Sequence, residues 1–398
     1  MFKILDLAPQ DPILGLSADF KRDPRPDKIN LASGVYQNDS GATPTLACVR
    51  AAEERLLAQD RPKTYLPIEG GAAYLRGALD LIFGSDHPAV AAGRVCAAHT
   101  PGGTGALRIG AEVLRRMRPG RSIWFALPTW PNHRGVSEAA NMSVGTLDYY
   151  APSTRELDWE RFHAGLSAIP EGDCILLQVC CQNPTGIDPS DTQWASMLEI
   201  VAQKRLFPIF DFAYQGFATG LTADTAPILS AMELGIEFMV AGSFSKNMGL
   251  YAERVGALSL VAADADGAAR GLSQVKSAIR TTYSNPPLHG SNIAEVLFTD
   301  PALNVQWRAE LECMRLRLVD MRTALGERLA TLGAVALGAA IARQCGMFSL
   351  TGIPKERVED LRVKHALYLV GSGRINVAAL NAGNVGRVAE MLAAAVPS

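Results

Sequence analysis

The sequence lacks most of the features that mark a membrane, nucleic-acid or disulfide-stapled protein. No apolar run in its 398 residues approaches the roughly 18 needed to cross a bilayer. The start, "MFKILDLAPQDPILGL", has one lysine and early aspartates in place of a basic head and an unbroken apolar core, so no secretory signal is expected. Lysine plus arginine (38) nearly balance aspartate plus glutamate (40). No basic block with interleaved aromatics occurs, which excludes an obvious nucleic-acid or anionic-membrane surface. The seven cysteines are scattered without a CxxC, and the six histidines show no HExxH spacing. A reducing, cytoplasmic setting without structural disulfides is therefore expected, and no metal site. Cys180 and Cys181 end an apolar run and read as core.

What remains is ordinary globular composition, 48% apolar and 20% charged, in a chain long enough for two domains. Between about 95 and 285, short apolar runs alternate with helical periods. "RSIWFALP" (121–128), "CILLQVCC" (174–181), "LFPIFDF" (206–212) and "EFMVAGSF" (237–244) read as buried strands. "DTQWASMLEIVAQKR" (191–205) and the stretch after "TPGGTG" read as helices; in the latter Leu107, Gly110, Ala111, Leu114 and Met117 share a face. This alternation predicts an α/β fold with a mainly parallel sheet covered on both sides. After Asp300 a long charged helix (302–333), short strand candidates and a final helix predict a smaller α+β domain.

In such sheets, ligands bind beyond the carboxyl ends of the strands. There the sequence places Asn183 in "CQNPTG", Asp211 within "LFPIFDF", Tyr214 three residues on, Trp130 after "FALPTW", and Ser243, Ser245 and Lys246 in "SFSK". "GGTG" opens a helix whose first amides can bind an anion. Taken singly, each has a plain structural role: NPTG as a turn, Asp211 as a strand-end carboxylate or a helix cap, Trp130 and His133 as interior residues, Arg280 as a solvated helix face. Lys246 is hardest to explain so, because lysine is seldom buried without a partner. One ligand accounts for the set. Lysine condenses with an aldehyde, a carboxylate holds a proton on a ring nitrogen, tryptophan stacks, and hydroxyls, amides and arginine hold a phosphate. That ligand is pyridoxal 5′-phosphate.

"SFSKNMGLYAERVGAL", "CCQNPTGIDP", "FDFAYQGFATGL", "TPGGTGALRIGA", "PTWPNH", "YSNPP" and "GMFSLTG" together resemble the class I aminotransferases, nearest the aspartate and aromatic amino acid branch. The resemblance runs from "LAPQDPILGL" to the final helix. It implies the fold type I architecture of pyridoxal-phosphate-dependent transferases, with an N-terminal arm (1–11), a small domain (12–43 plus 311–398) and a large cofactor domain (44–310). Lys246 resembles the Schiff-base lysine that also moves the substrate proton. Asp211 resembles the partner of the pyridine nitrogen, with His133 behind it. Asn183 and Tyr214 match residues bonded to the cofactor's phenolic oxygen, and Trp130 the stacking ring. Gly103, Thr104, Ser243, Ser245 and Arg254 match the phosphate cup. Tyr65 matches a tyrosine that reaches the phosphate of the neighbouring subunit. Arg374 matches the fork for the substrate α-carboxylate. Arg280 matches an arginine that crosses a dimer interface to a distal carboxylate, and Gly34 a residue of the segment closing over substrate.

The resemblance therefore implies a homodimer with shared active sites acting on amino acids and 2-oxo acids. Paired Arg374 and Arg280 favour aspartate with 2-oxoglutarate, because a buried carboxylate needs a cation; a tyrosine or phenylalanine aminotransferase is the alternative. "VY" at 35–36, Thr104 and "SNPP" at 284–287 look more like the aspartate branch, "YLPIEGG" more like the aromatic one. Gln182 stands where close relatives have histidine, and Ser33 replaces a branched apolar residue. A nicotinamide dehydrogenase would need a GxGxxG that Gly102, Gly103, Gly105 and Gly110 do not form. A non-catalytic ligand sensor on the same scaffold would need an added DNA-binding module or a lost lysine. An elimination or decarboxylation enzyme using the same cofactor suits the arginine pair less well.

Overall fold

The computed structural model describes residues 1–7 and 14–396. The end of the expected arm (8–11) and the first two residues of the expected small domain lie outside the described residues. The chain divides into two compact units. One comprises Pro44–Asn183 and Ile187–Arg317; the other comprises Met1–Thr43, Pro184–Gly186 and Leu318–Ser398.

The larger unit is built on seven strands: β1 (Val95–Pro101), β2 (Ser122–Leu127), β3 (Ser143–Asp148), β4 (Cys174–Gln178), β5 (Phe207–Phe212), β6 (Phe238–Ser243) and β7 (Val255–Val261). Their order across the sheet is β1-β7-β6-β5-β4-β2-β3. The pairs among β2 to β6 are parallel, whereas β7 runs antiparallel to both β1 and β6. Every residue of β5, β6 and β7 is buried. That is why these strands read as continuous apolar runs and show no alternation. Ile123, Phe125, Leu176, Ile209, Met239 and Leu258 join one core cluster with the inner face of a helix, α1 (Gly102–Met117). Each such side chain contributes roughly 1.5–3 kcal/mol on burial.

The apolar face of α1 is wider than the five-residue spacing predicted, since Ile109 and Val113 are also buried. Met117 falls outside it, 47% exposed at the last turn. Two further helices frame the sheet's carboxyl edge. α2 (Asn132–Ala139) follows β2 and α3 (Asp191–Gln203) follows β4. α3 begins in a capping box: Ser190 Oγ accepts from the Gln193 amide while Gln193 Oε1 accepts from the Ser190 amide. A longer helix, α4 (Ala265–Thr282), ends near Arg280.

In the smaller unit, Phe348–Leu350 pairs antiparallel with Arg374–Asn376, and Ile29–Asn30 pairs parallel with Leu367–Tyr368. Leu325, Leu329, Ile341, Leu367, Ile375 and Leu392 form its own core. No helix among the described residues is long and apolar enough to cross a membrane.

Candidate active site

Strand register places the first functional residues. Gln178, the last residue of β4, lies opposite Asp211 on β5, and Asp211 lies opposite Ala241 on β6. Asp211 is thus inside a strand, not a helix cap. Its carboxylate is buried and sits 2.9 Å from His133 Nε2. His133, fully buried on α2, has its Nδ1 2.7 Å from Thr129 Oγ1. Gln178 Nε2 donates to Thr129 Oγ1 at 3.3 Å and to the Asn183 carbonyl at 3.2 Å.

Trp130 meets His133 edge-on, with ring centroids 5.3 Å apart. Lys246 is half-buried just past β6, its Nζ 5.0 Å from the centre of the Tyr214 ring. The Asn183 amide donates to Gln178 Oε1 at 2.9 Å. Asp211, His133, Trp130, Tyr214, Lys246 and Asn183 are therefore grouped at the carboxyl edge of β2, β4, β5 and β6. Gln182, the first departure noted above, uses its Nε2 to donate to the Pro128 carbonyl at 2.7 Å, two residues before Trp130.

The anion-binding end is a separate construction on the same edge. The amides of Gly103 and Thr104 lie in the first turn of α1, where helix geometry leaves donors unpaired and the dipole is positive. Ser243 and Ser245 are both buried, with hydroxyls 3.2 Å apart. Arg254 donates Nη2 to the Pro101 carbonyl and Nη1 to that of Tyr251. Its φ of 58° is unusual for a side-chain-bearing residue, a strain that concentrates at functional positions. Gly102 has φ of 69°, and a Cβ there would lie 2.5 Å from Arg254 Nη2, so only glycine lets the arginine lie over the helix start. Helix-start amides, two buried hydroxyls and a guanidinium fit a phosphate dianion. A carboxylate backed by histidine fits a protonated ring nitrogen. The residues present thus fit a phosphorylated pyridine aldehyde.

Tyr65 is 92% exposed, and Arg280, also exposed, donates to Ser284 Oγ at 2.5 Å. Among the described residues neither makes a hydrogen bond or ring contact with the cluster.

Gly34 and Arg374 belong to the smaller unit. Arg374 is buried, its guanidinium 4.1 Å from the centre of the Phe348 ring and its Nη2 donating to the Ala32 carbonyl. Asn376 Nδ2 donates to the Val35 carbonyl. The segment carrying Gly34 is therefore tied to the strand carrying Arg374. Arg322 fixes the backbone beneath, donating to the carbonyls of Cys345, Gly346 and Phe348.

Sequence reasoning missed Thr129, Gln178, Arg322 and Phe348. Gln178 had a readable signal, an amide closing an otherwise apolar strand. The other three looked like ordinary loop, helix and core residues.

Residues 26–392 match the family model described as aminotransferase class I and II. The chain is 44% identical over 394 residues to an aspartate aminotransferase from Salmonella typhi, covering 99% of this chain and all of that one. It is 41% identical to the aromatic-amino-acid aminotransferase of Escherichia coli strain K12, covering 99% of this chain and all of that one. It superposes with a TM-score of 0.97, at 43% identity and full coverage of both chains, on an aromatic-amino-acid aminotransferase from Burkholderia pseudomallei covalently bound to pyridoxal phosphate.

Proposed function

Because the chain belongs to the class I and II aminotransferases, we propose that it transfers an amino group between aspartate and 2-oxoglutarate, with pyridoxal 5′-phosphate as carrier. The observation that carries this reading is the buried Asp211–His133 pair on the same sheet edge as Lys246 and Tyr214. When bound, that cofactor supplies an aldehyde and an electron-accepting ring.

The chain's own groups do the rest. Lys246 holds the cofactor through Nζ and carries a proton to and from the substrate carbon once released. Asp211, backed by His133, holds a proton on the ring nitrogen. Trp130 covers the ring face and excludes water. Asn183 and Tyr214 donate to the phenolic oxygen. Gly103, Thr104, Ser243, Ser245 and Arg254 hold the phosphate, with Tyr65 of the partner subunit closing the cup in a homodimer. Arg374 binds the α-carboxylate in a fork that lysine cannot reproduce. Arg280 of the partner subunit pairs the distal carboxylate, and the segment around Gly34 covers the substrate. Aspartate aminotransferases among the relatives, the arginine pair and "SNPP" support aspartate over an aromatic amino acid. The charge balance and the reducing thiol pattern support a cytoplasmic enzyme.

The deciding experiment compares kcat/KM for aspartate and phenylalanine, with Lys246→Ala as control. Aspartate is expected to be preferred, and Lys246→Ala to lose at least about a thousandfold in kcat. A ratio favouring phenylalanine moves the enzyme to the aromatic branch. Turnover surviving in Lys246→Ala removes the assignment of the lysine.

A further inference from the structure

The Tyr214 loop is closed by a buried acid that the transfer chemistry does not use. Asp224 is only 4% exposed and lies on a short turn, Ala223–Thr225. Its Oδ2 accepts from the amides of Gly216 (2.8 Å) and Ala218 (3.2 Å). Its Oδ1 accepts from the Thr219 amide (2.8 Å), the Thr219 hydroxyl (2.8 Å) and the Gly220 amide (3.1 Å). Cys180 Sγ, just beyond β4, shares its one S–H between Asp224 Oδ2 (3.8 Å) and the Tyr214 carbonyl (3.6 Å). The Phe217 amide returns to the Tyr214 carbonyl at 3.0 Å. Gly216, at φ of 93°, packs so closely on Leu311 that a Cβ would lie 2.6 Å from its Cδ2. One carboxylate thus gathers the backbone from 216 to 220, directly after the residue facing Lys246.

We propose that Asp224 is a positioning residue for Tyr214: by collecting the amides of Gly216, Ala218, Thr219 and Gly220 it sets where the Tyr214 hydroxyl meets the cofactor's phenolic oxygen. This rests on the reading of Tyr214 given above. A carboxylate suits the task because both oxygens accept. An asparagine of the same shape keeps one acceptor and turns an NH2 toward amides that also donate. With Oδ1 bonded to Thr219 and Gly220, that NH2 would face Gly216 and Ala218, the side of the loop adjoining Tyr214. Buried donors left without an acceptor are costly, so the loop shifts.

The readout is the pH midpoint at which the bound cofactor's absorbance band changes in the resting holoenzyme. A hydroxyl donating to the phenolic oxygen stabilises negative charge there. When it is withdrawn, the proton shared by the cofactor and the Lys246 nitrogen is held more tightly, and the midpoint rises. Asp224→Asn and Tyr214→Phe are each expected to raise the midpoint by about one pH unit, in keeping with one hydrogen bond to a charged group. Thr219→Val, which removes a donor on the far side and keeps both Oδ2 bonds, is expected to leave it in place. A wild-type midpoint in Asp224→Asn beside a raised one in Tyr214→Phe overturns the proposal and spares the reading of Tyr214. An unmoved midpoint in both overturns the two together. Hydrogen exchange on the wild-type holoenzyme tests the same point without any variant. The Gly216, Ala218 and Thr219 amides are expected to exchange as slowly as those of β5; exchange at open-loop rates overturns the proposal.

Discussion

At the residue scale, the site works because polar groups are buried in chains and not singly. Asp211 would be a poor neighbour for an apolar strand on its own. His133, Thr129 and Gln178 make it affordable and orient its proton donor. His99, on β1 three residues before α1 begins, is the contrasting case. It is fully buried, its ring tilted against Tyr74 with centroids 4.7 Å apart, and neither ring nitrogen has a hydrogen-bond partner among the described residues. Burial depresses its pKa to about 3. The unfolded chain therefore binds a proton below about pH 6.5 that the folded chain refuses until about pH 3. Stability is complete above the unfolded value and falls as the pH drops through this window. Between pH 6.5 and 5 the loss from this group reaches about 2 kcal/mol. Urea unfolding of His99→Leu, measured at pH 7 and pH 5, is expected to show a smaller drop in midpoint than the wild type. Equal drops would mean that other groups govern the acid limb.

At the element scale, the start of α1 is the part most sensitive to a single methyl group. The helix brings positive partial charge and unpaired amides to the sheet edge. Those amides are of use only if Arg254 can lie across them, and that requires Gly102 to keep φ of 69° with no Cβ. Gly102→Ala imposes backbone strain and a clash at once. The expected result is a cofactor dissociation constant raised about tenfold or more, read by absorbance titration of the apoenzyme. Unchanged affinity would show that the phosphate is held elsewhere. The buried strands behave differently. Their role is to deliver Gln178 and Asp211 at paired register positions, with Ser243 two residues beyond the position opposite Asp211, which β4, β5 and β6 do through parallel pairing and burial alone.

At the scale of the whole molecule, each unit has its own core, and the chain enters the smaller unit three times. Arg280 and Tyr65 stand exposed on the larger one. If they complete a partner's site, two inactive variants should complement each other. Mixed dimers of Lys246→Ala with Arg280→Leu contain one site with both changes and one with neither. Such hybrids, isolated with two affinity tags, are expected to recover about half of the wild-type activity on dicarboxylates. Hybrids no more active than the parents would show that each subunit's site is self-sufficient.

The strands, the principal helices and the family were legible in the sequence, because long apolar runs, helical periods and the SFSK and NPTG strings are local signals. Candidate residues such as Asp211 and Lys246 stood out because a charge interrupts or ends a run that should be apolar. What the linear order could not convey was which polar residues support them. Thr129 and Gln178 are 49 positions apart yet share a hydrogen bond, and Gln178 faces Asp211 only through strand register. Asp224 looks like any loop acid until the backbone of 216–220 is wrapped around it. Local pattern depends on neighbours in the chain and so survives in one dimension. Hydrogen-bond partnership depends on which strands and loops become neighbours in space, and tertiary packing alone decides that.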